Sequence, residues 1–331
     1  MADTSRPLVL HADAGPNQDL SGEAAPLVEV NAALRPTRAR DEDGLIANLH
    51  DADVVLVSGA PMTRRVMENM PRCRGIVRYG VGLDNVDVPA ATDLGIVVAH
   101  VLNFCTEEVA NHVILLLLAC AKKLLVLDRS MRDGRWGGIP AADYPAVFGQ
   151  TLGIVGLGEI GRSVARKGQA LGMEIIAHDP YVKEGAGPLP ARLVRLEDLL
   201  RQSDYVSLNS PLTKETFHLI GERELALMKP TAVLINTARG PVVDEPALIE
   251  ALRQGKIAAA GLDVFEAEPL PASSPLLEFD NVILTPHTAG ISHESARTVR
   301  TEVGKAAADL LAGRWPRYVA NRDVRPRVPL R

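Results

Sequence analysis

Aromatic residues are scarce in this 331-residue sequence: two Trp, five Tyr and five Phe make up 4% of it. Ala, Val, Leu and Gly must fill its cores, which suits helices packed on buried sheets. Cysteine is scarce too. Cys73, Cys105 and Cys120 form no C-x-x-C pair and no metal-type spacing. That excludes a disulfide framework and a cysteine metal site, and the thiols read as reduced, in a cytoplasmic protein. Positive charge is not in excess: 36 Lys and Arg face 41 Asp and Glu, a net of −5. A nucleic-acid surface held by bulk charge is therefore not expected. Long apolar runs are missing as well. The longest, Val113–Ala121, is closed by Lys122 and Lys123 and is far too short to span a bilayer. Residues 1–25 show no charged start followed by an apolar stretch, so no secretion signal is expected.

What is present is 47% hydrophobic residues over a length that suggests two domains. The most informative stretch is Thr151–Asp179, TLGIVGLGEIGRSVARKGQALGMEIIAHD. An apolar run, Leu152–Val155, reads as a buried strand. Gly156, Gly158 and Gly161 follow with the spacing G-x-G-x-x-G, then a helical pattern, then a second strand at Glu174–His178. The first glycine permits a tight turn, the second lets backbone approach a pyrophosphate, and the third lets helix and strand pack closely. The N–H groups and the positive dipole end of the helix face the phosphates. Asp179 stands 18 residues past Gly161, where a carboxylate accepts bonds from the adenosine ribose hydroxyls. The competing reading is an ordinary glycine-rich strand–helix turn.

Strand-like and helical segments alternate on both sides of this unit, which implies parallel sheets. Residues 13–26 read as loop, and the tail after Gly313, rich in Arg and Pro, shows little pattern. One long helix is expected from Thr106, its N-cap, with Glu107 and Glu108 in the first turn, through Leu125. Another is expected over His293–Leu311, and Ser130–Gln150 reads as irregular. Because the dinucleotide unit begins only at residue 151, the simplest assembly inserts a central domain into a second one made from both chain ends. The expected domains are 1–104 with 292–331, which binds substrate, and 105–291, which binds the dinucleotide. The expected architecture is α/β: two Rossmann-like lobes, one flavodoxin-like and one dinucleotide-binding, with parallel sheets and a cleft between them for substrate.

In open parallel sheets ligands bind beyond the carboxyl ends of the strands. Those ends carry Arg239, Asp263 and His287, with Glu268 in the loop after Asp263. Hydride transfer to a 2-keto acid needs such a set. A fixed cation polarises the keto oxygen and holds the carboxylate. A proton donor serves the developing alkoxide. An acid beside the donor orients it and favours its protonated form. Each residue also has a plainer reading: Arg239 in a surface ion pair, Asp263 ending a strand, Glu268 as a solvated loop acid, His287 as one histidine of eight.

Seven motifs in order decide between these readings: RYGVGLDNVDV (78–88), TEEVANH (106–112), GLGEIG (156–161), SPLTKET (210–216), NTARGPVVDE (236–245), GLDVFEAEP (261–269) and TPHTAG (285–290). With them the sequence resembles the D-2-hydroxyacid dehydrogenases over about residues 53–313. The resemblance implies an NAD-dependent oxidoreductase acting on the CH–OH group of 2-hydroxy acids, or reducing 2-keto acids. It implies Arg239 as the substrate-binding arginine, His287 as acid/base and Glu268 as its partner. It places the substrate carboxylate on the amides of Val81 and Gly82, where glycine leaves N–H groups unshielded. Tyr79 either lines the substrate pocket or packs under that loop. Around the cofactor it implies Thr106 at a phosphate, and Gly156, Gly158, Glu159, Ile160 and Gly161 in the turn. Asp179 lies at the ribose, and Ser210, Pro211 and Thr216 along the adenosine side. Thr237, Ala238, Arg239, Asp263, His287 and Gly290 complete the nicotinamide side. Asp179 favours NAD over NADP, since a carboxylate repels a 2′-phosphate, although Lys183 is near in sequence. A homodimer is implied, with the segment around Ser130–Gly149 reaching across; Trp136 is either part of that contact or a core filler. Neither membrane, nucleic acid nor metal is expected. The alternative is a corepressor-like NAD(H) sensor, though those proteins carry Trp at the position of Gly290. A formate- or phosphite-type dehydrogenase is weaker, because the first usually has Gln where Glu268 stands.

Overall fold

The computed structural model describes residues 6–15, 17–39, 41–136, 145–183 and 191–331. The chain divides into two compact units, Met1–Phe104 with Ser292–Arg331 and Cys105–Ile291. In chain order the first unit begins with strands β1 (Leu8–His11), β2 (Ala33–Pro36), β3 (Val54–Val57), β4 (Gly75–Arg78) and β5 (Val97–His100). Between them lie helices α1 (Ser21–Leu27), α2 (Glu42–Leu49), α3 (Arg64–Glu68) and α4 (Val88–Asp93). The second unit holds α5 (Thr106–Ala121) and α6 (Leu124–Arg132), then β6 (Thr151–Val155), α7 (Glu159–Ala170), β7 (Glu174–His178), β8 (Arg192–Leu193), α8 (Leu196–Gln202) and β9 (Tyr205–Leu208). It closes with α9 (Glu222–Leu225), β10 (Val233–Asn236), α10 (Glu245–Arg253), β11 (Ala259–Leu262) and β12 (Val282–Leu284). Helix α11 (His293–Leu311) returns the chain to the first unit.

Both sheets are parallel throughout their ladders. The first has the order β2-β1-β3-β4-β5, the second β12-β11-β10-β9-β6-β7-β8. These are the flavodoxin-like and the dinucleotide-binding orders. Parallel strands covered on both faces read as unbroken apolar runs, and β3 shows why. All four residues of its VVLV are buried; Val54 and Leu56 face the core under α11, whereas Val55 and Val57 face the core under α2, α3 and α4. In the second unit Ala110, Val113, Leu116 and Leu117 of α5 and Val164 and Ala165 of α7 pack on one face. Leucines of α8, α9 and α10 pack on the other. Full burial of one such leucine contributes about 1.5–3 kcal/mol.

Three expectations need correction. Residues 13–26 are not all loop, because α1 starts at Ser21. The helix expected through Leu125 stops at Ala121: Lys123 adopts φ +51, and α6 sets off at 61° to α5. The tail after Gly313 is held along β5, with His100 N donating to Tyr318 O and Ala320 N to Val98 O. Asn321 is buried, accepting from Val98 N at 2.8 Å and donating to Ile96 O at 3.0 Å. The Arg327 guanidinium reaches the carbonyls of Met70, Cys73 and Leu94. Among the described residues no single helix is long and apolar enough to cross a membrane.

Candidate active site

The ends of β6, β9, β10, β11 and β12 share one edge of the second sheet, since these strands run parallel. At Gly156 the backbone has φ +91, and a Cβ there would sit 2.8 Å from backbone atoms of Asn209 and Ser210. Only glycine fits. A Cβ at Gly161 would run into the Gly156 carbonyl oxygen, so this glycine sets the approach of α7 to β6. A Cβ at Gly158 would meet nothing within 4 Å. The chain itself does not require glycine there; the open space in front of it does. Gly158 is the N-cap of α7 and offers no side-chain cap, so the first N–H groups of the helix, at Glu159, Ile160 and Gly161, have no cap from that side chain. Asp179 shapes the turn as well as facing it: its carboxylate accepts from Leu157 N at 2.8 Å and from Tyr181 N at 2.9 Å. At the neighbouring strand ends Asn209 Oδ1, Ser210 Oγ and Thr237 Oγ1 are buried and have no hydrogen-bond partner among the described residues. Buried polar atoms are rarely left so. Open space at Gly158, uncapped helix N–H groups and these three atoms together fit a dinucleotide.

Other expected cofactor residues have uses within the chain. Thr216 Oγ1 donates to Pro211 O at 2.6 Å and accepts from Thr213 N at 2.7 Å, closing the 211–216 turn on itself. Thr106 is not the N-cap of α5; Cys105 holds that place without its side chain capping the helix, and Thr106 lies in the first turn. Gly290 lies against the start of α5, where a Cβ would meet Cys105 Sγ at 3.2 Å.

Arg239, Glu268 and His287 lie on three loops of this edge. Asn236, which the motif reading passed over, shapes the first: its side chain accepts from Ala238 N and donates to Arg239 O. An asparagine closing a strand is a turn signal that was available in the sequence. The Arg239 guanidinium donates to Ala238 O at 2.6 Å. A Cβ on the next residue, Gly240, would overlap the Phe265 carbonyl, so the arginine loop rests directly on the chain leading to Glu268. Glu268 accepts from Phe265 N at 3.0 Å and pairs with His287 Nδ1 at 2.7 Å. Burial alone would raise the Glu268 carboxyl. The bonds from His287 and Phe265, and the charges of His287 and Arg239, outweigh that and hold it below the ordinary value. His287 has φ +54, a conformation non-glycine residues seldom take and one that clusters at working sites. Its Nδ1 is taken by Glu268, so Nε2 is the ring nitrogen turned away from that pair; the side chain is 50% exposed.

Asp263 is placed differently. It is 1% exposed, and its carboxylate faces inward to Thr285, Thr288 and Ala289. In the first unit Tyr79 packs against the core under α11: its hydroxyl donates to Glu23 at 2.8 Å, and burial together with Glu23 raises its pKa. The loop that follows it turns at Gly80 (φ +95), and Val81, 43% exposed, accepts from His100 Nδ1 at 3.0 Å with Gly82 following. Burial pushes the Cys73 and Cys120 thiols up to about 12, which disfavours the thiolate at both.

The family profile described as D-isomer specific 2-hydroxyacid dehydrogenase, NAD binding domain, matches residues 114–289. A glyoxylate reductase of Korarchaeum cryptofilum (strain OPF8) is 42% identical over 294 residues, covering 87% of this chain and 85% of the relative. Among solved structures, a glyoxylate reductase from Paecilomyes thermophila is similar with a TM-score of 0.88 at 30% identity, covering 96% of this chain and 99% of the other. D-lactate dehydrogenase from Aquifex aeolicus, complexed with NAD and lactic acid, is similar with a TM-score of 0.83 at 30% identity, covering 92% and 96%. These relatives are reductases and dehydrogenases, and the corepressor-like alternative finds no support among them.

Proposed function

The chain belongs to the D-isomer specific 2-hydroxyacid dehydrogenase family, NAD-dependent oxidoreductases acting on the CH–OH group of 2-hydroxy acids, and from that premise we propose that Arg239, Glu268 and His287 carry its reaction. The observation behind this is the His287–Glu268 pair at 2.7 Å, on the sheet edge that also holds the glycine turn. The Arg239 guanidinium holds the substrate carboxylate and polarises the keto oxygen. Glu268 keeps the Nδ1 side of His287 protonated and the ring fixed, so Nε2–H donates to the alkoxide as it forms. NADH, when bound, supplies the hydride to C2. In the oxidative direction His287 takes the hydroxyl proton.

The substrate is a small 2-keto acid, glyoxylate first among them because a relative of that name is 42% identical. Asp179 selects NAD over NADP by repelling a 2′-phosphate. Cys105–Ile291 serves as the cofactor domain, and Met1–Phe104 with Ser292–Arg331 as the substrate domain. In the latter the amides of Val81 and Gly82 receive the carboxylate. His287→Ala and Arg239→Ala are each expected to lower kcat by roughly 10²–10⁴ while retaining NADH binding. A panel of 2-keto acids with NADH and NADPH in parallel reads this out, and parent-like turnover in both variants would remove the assignment.

A homodimer completes the reading. Helix α6 buries none of its residues. Leu124, Leu125, Met131, Trp136 and Phe148 are 50%, 47%, 53%, 90% and 79% exposed. Large apolar side chains left exposed in one stretch of the chain support an interface there. The segment expected to reach across falls partly on 137–144, outside the described residues. Leu125→Glu should shift the sedimentation coefficient to that of a monomer; an unchanged dimer would place the contact elsewhere. A cytoplasmic location is supported by three cysteines that form no disulfide.

A further inference from the structure

Among the described residues one buried polar chain reaches the turn of His287 from behind. Asp263 follows β11 and Thr285 follows β12, and these strands pair with Leu262 opposite Leu284, so the two residues leave the sheet next to each other. The Asp263 carboxylate can only accept. It takes the Thr285 hydroxyl at 2.5 Å, Thr288 N–H at 2.9 Å and Ala289 N–H at 2.8 Å. Its backbone carbonyl takes the N–H of His287 itself at 2.8 Å. Thr285, His287, Thr288 and Ala289 are thus all tied to Asp263, and Pro286 between them has no N–H to give. Thr285 has one hydroxyl proton, and Asp263 receives it, so the Thr285 oxygen must accept its remaining bond. That bond comes from His112, whose Nε2 lies 2.9 Å away. His112 sits on α5, its side chain 15% exposed, with Nε2 also 3.7 Å from Asp263 Oδ1. The direction of the chain therefore fixes a proton on His112 Nε2.

We infer that His112 is a positioning residue for the reaction: its Nε2–H, passed through the Thr285 hydroxyl to the Asp263 carboxylate, fixes the turn that holds the His287 ring against Glu268. The inference rests on the reading of His287 as proton donor. A left-handed backbone at His287 does not keep itself; it persists because its surroundings over-determine it. His112 supplies the outermost of those restraints without touching substrate.

The test compares His112→Leu, which removes the donor, with His112→Gln, which keeps an N–H near Nε2. For a 2-keto acid with NADH, kcat should fall about tenfold in His112→Leu with the NADH dissociation constant within about twofold, and His112→Gln should return to within about threefold of the parent. Thr285→Val breaks the same chain, so combining it with His112→Leu should add little. Thr285→Ser, which keeps the hydroxyl, should stay near the parent; this pair decides the matter if His112→Leu does not fold. Nitrogen-15 spectra of the imidazoles add a readout that needs no turnover: a proton on Nε2 of His112, and His287 ring signals that move in His112→Leu. Parent-like kcat in His112→Leu, fully additive losses, or a proton on Nδ1 instead of Nε2 would each overturn the inference. An active His287→Ala with the spectra as expected would instead overturn the assignment of the proton donor and leave the His112 chain standing.

Discussion

Each unit has one point where its strand order reverses, between β1 and β3 in the first and between β6 and β9 in the second. Such points open a crevice at the carboxyl edge. The two are finished in opposite ways. In the first, the carboxylate of Asp13, which follows β1, accepts from Ser58 N at 2.9 Å, Gly59 N at 2.6 Å and Ala60 N at 2.8 Å. The chain has placed its own anion on the donors. His11 beside it is fully buried, and burial lowers its pKa against the opposing pull of Asp13. In the second, Gly158 faces empty space, and Asn209, Ser210 and Thr237 hold polar atoms without partners among the described residues. Topology alone supplies two equivalent crevices. Whether one becomes a ligand site depends on whether a side chain already occupies its N–H groups.

Two substitutions put this contrast at risk. The larger effect is expected for Gly158→Val, which fills the open space with a side chain. NAD affinity should fall about a hundredfold, roughly 2.7 kcal/mol, with the melting temperature nearly unchanged because no protein atom is displaced. Calorimetric titration and a thermal melt separate the two, and retained NAD binding would mean that the space is not where the phosphates lie. The smaller is Asp13→Ala, which strips three backbone donors of their acceptor. Stability of the first unit should drop by about 2 kcal/mol while NAD affinity stays the same. A denaturant titration that matches the parent would show that the carboxylate does not close the crevice.

Features with a local cause were readable in the sequence. The glycine turn was, because Gly156 and Gly161 are demanded by a positive φ and a steric collision within a few residues. Helix α11 was readable over its full length because its apolar residues repeat at helical spacing behind the Ser292 cap. Features with a distant cause were not. Helix α1 contains Pro26 and is built on small residues, and it exists because α11 packs on it so closely that a Cβ at Gly304 would strike the Glu23 backbone. Strand β2 ends in Pro36 and pairs on one side only, so it lacks the apolar run of a central strand. The tail is fastened by Asn321 and Arg327 to carbonyls more than 200 positions earlier, and such bonds have no periodicity to read. At the site the residue types on the strand ends were legible but their aim was not. Nothing in GLDVFEAEP says that Asp263 faces inward while Glu268 meets a histidine 19 residues on. Likewise His112 looked like one histidine among eight until the partners of Thr285 were known.

The fastening of the tail has a consequence for synthesis. The first unit's core includes Val303, Ala307, Ala308, Leu310 and Val324, all encoded after the whole of the second unit. A ribosome releases residues in order, and domains fold as their sequence becomes complete. The second unit is therefore ready first, while residues 1–104 wait with one face of their sheet bare and the β5 edge unsealed. A chain ended at Ile291 should bind NAD yet yield its leading hundred residues to a brief protease pulse, whereas resistance there would mean that this half closes without its late-arriving helix.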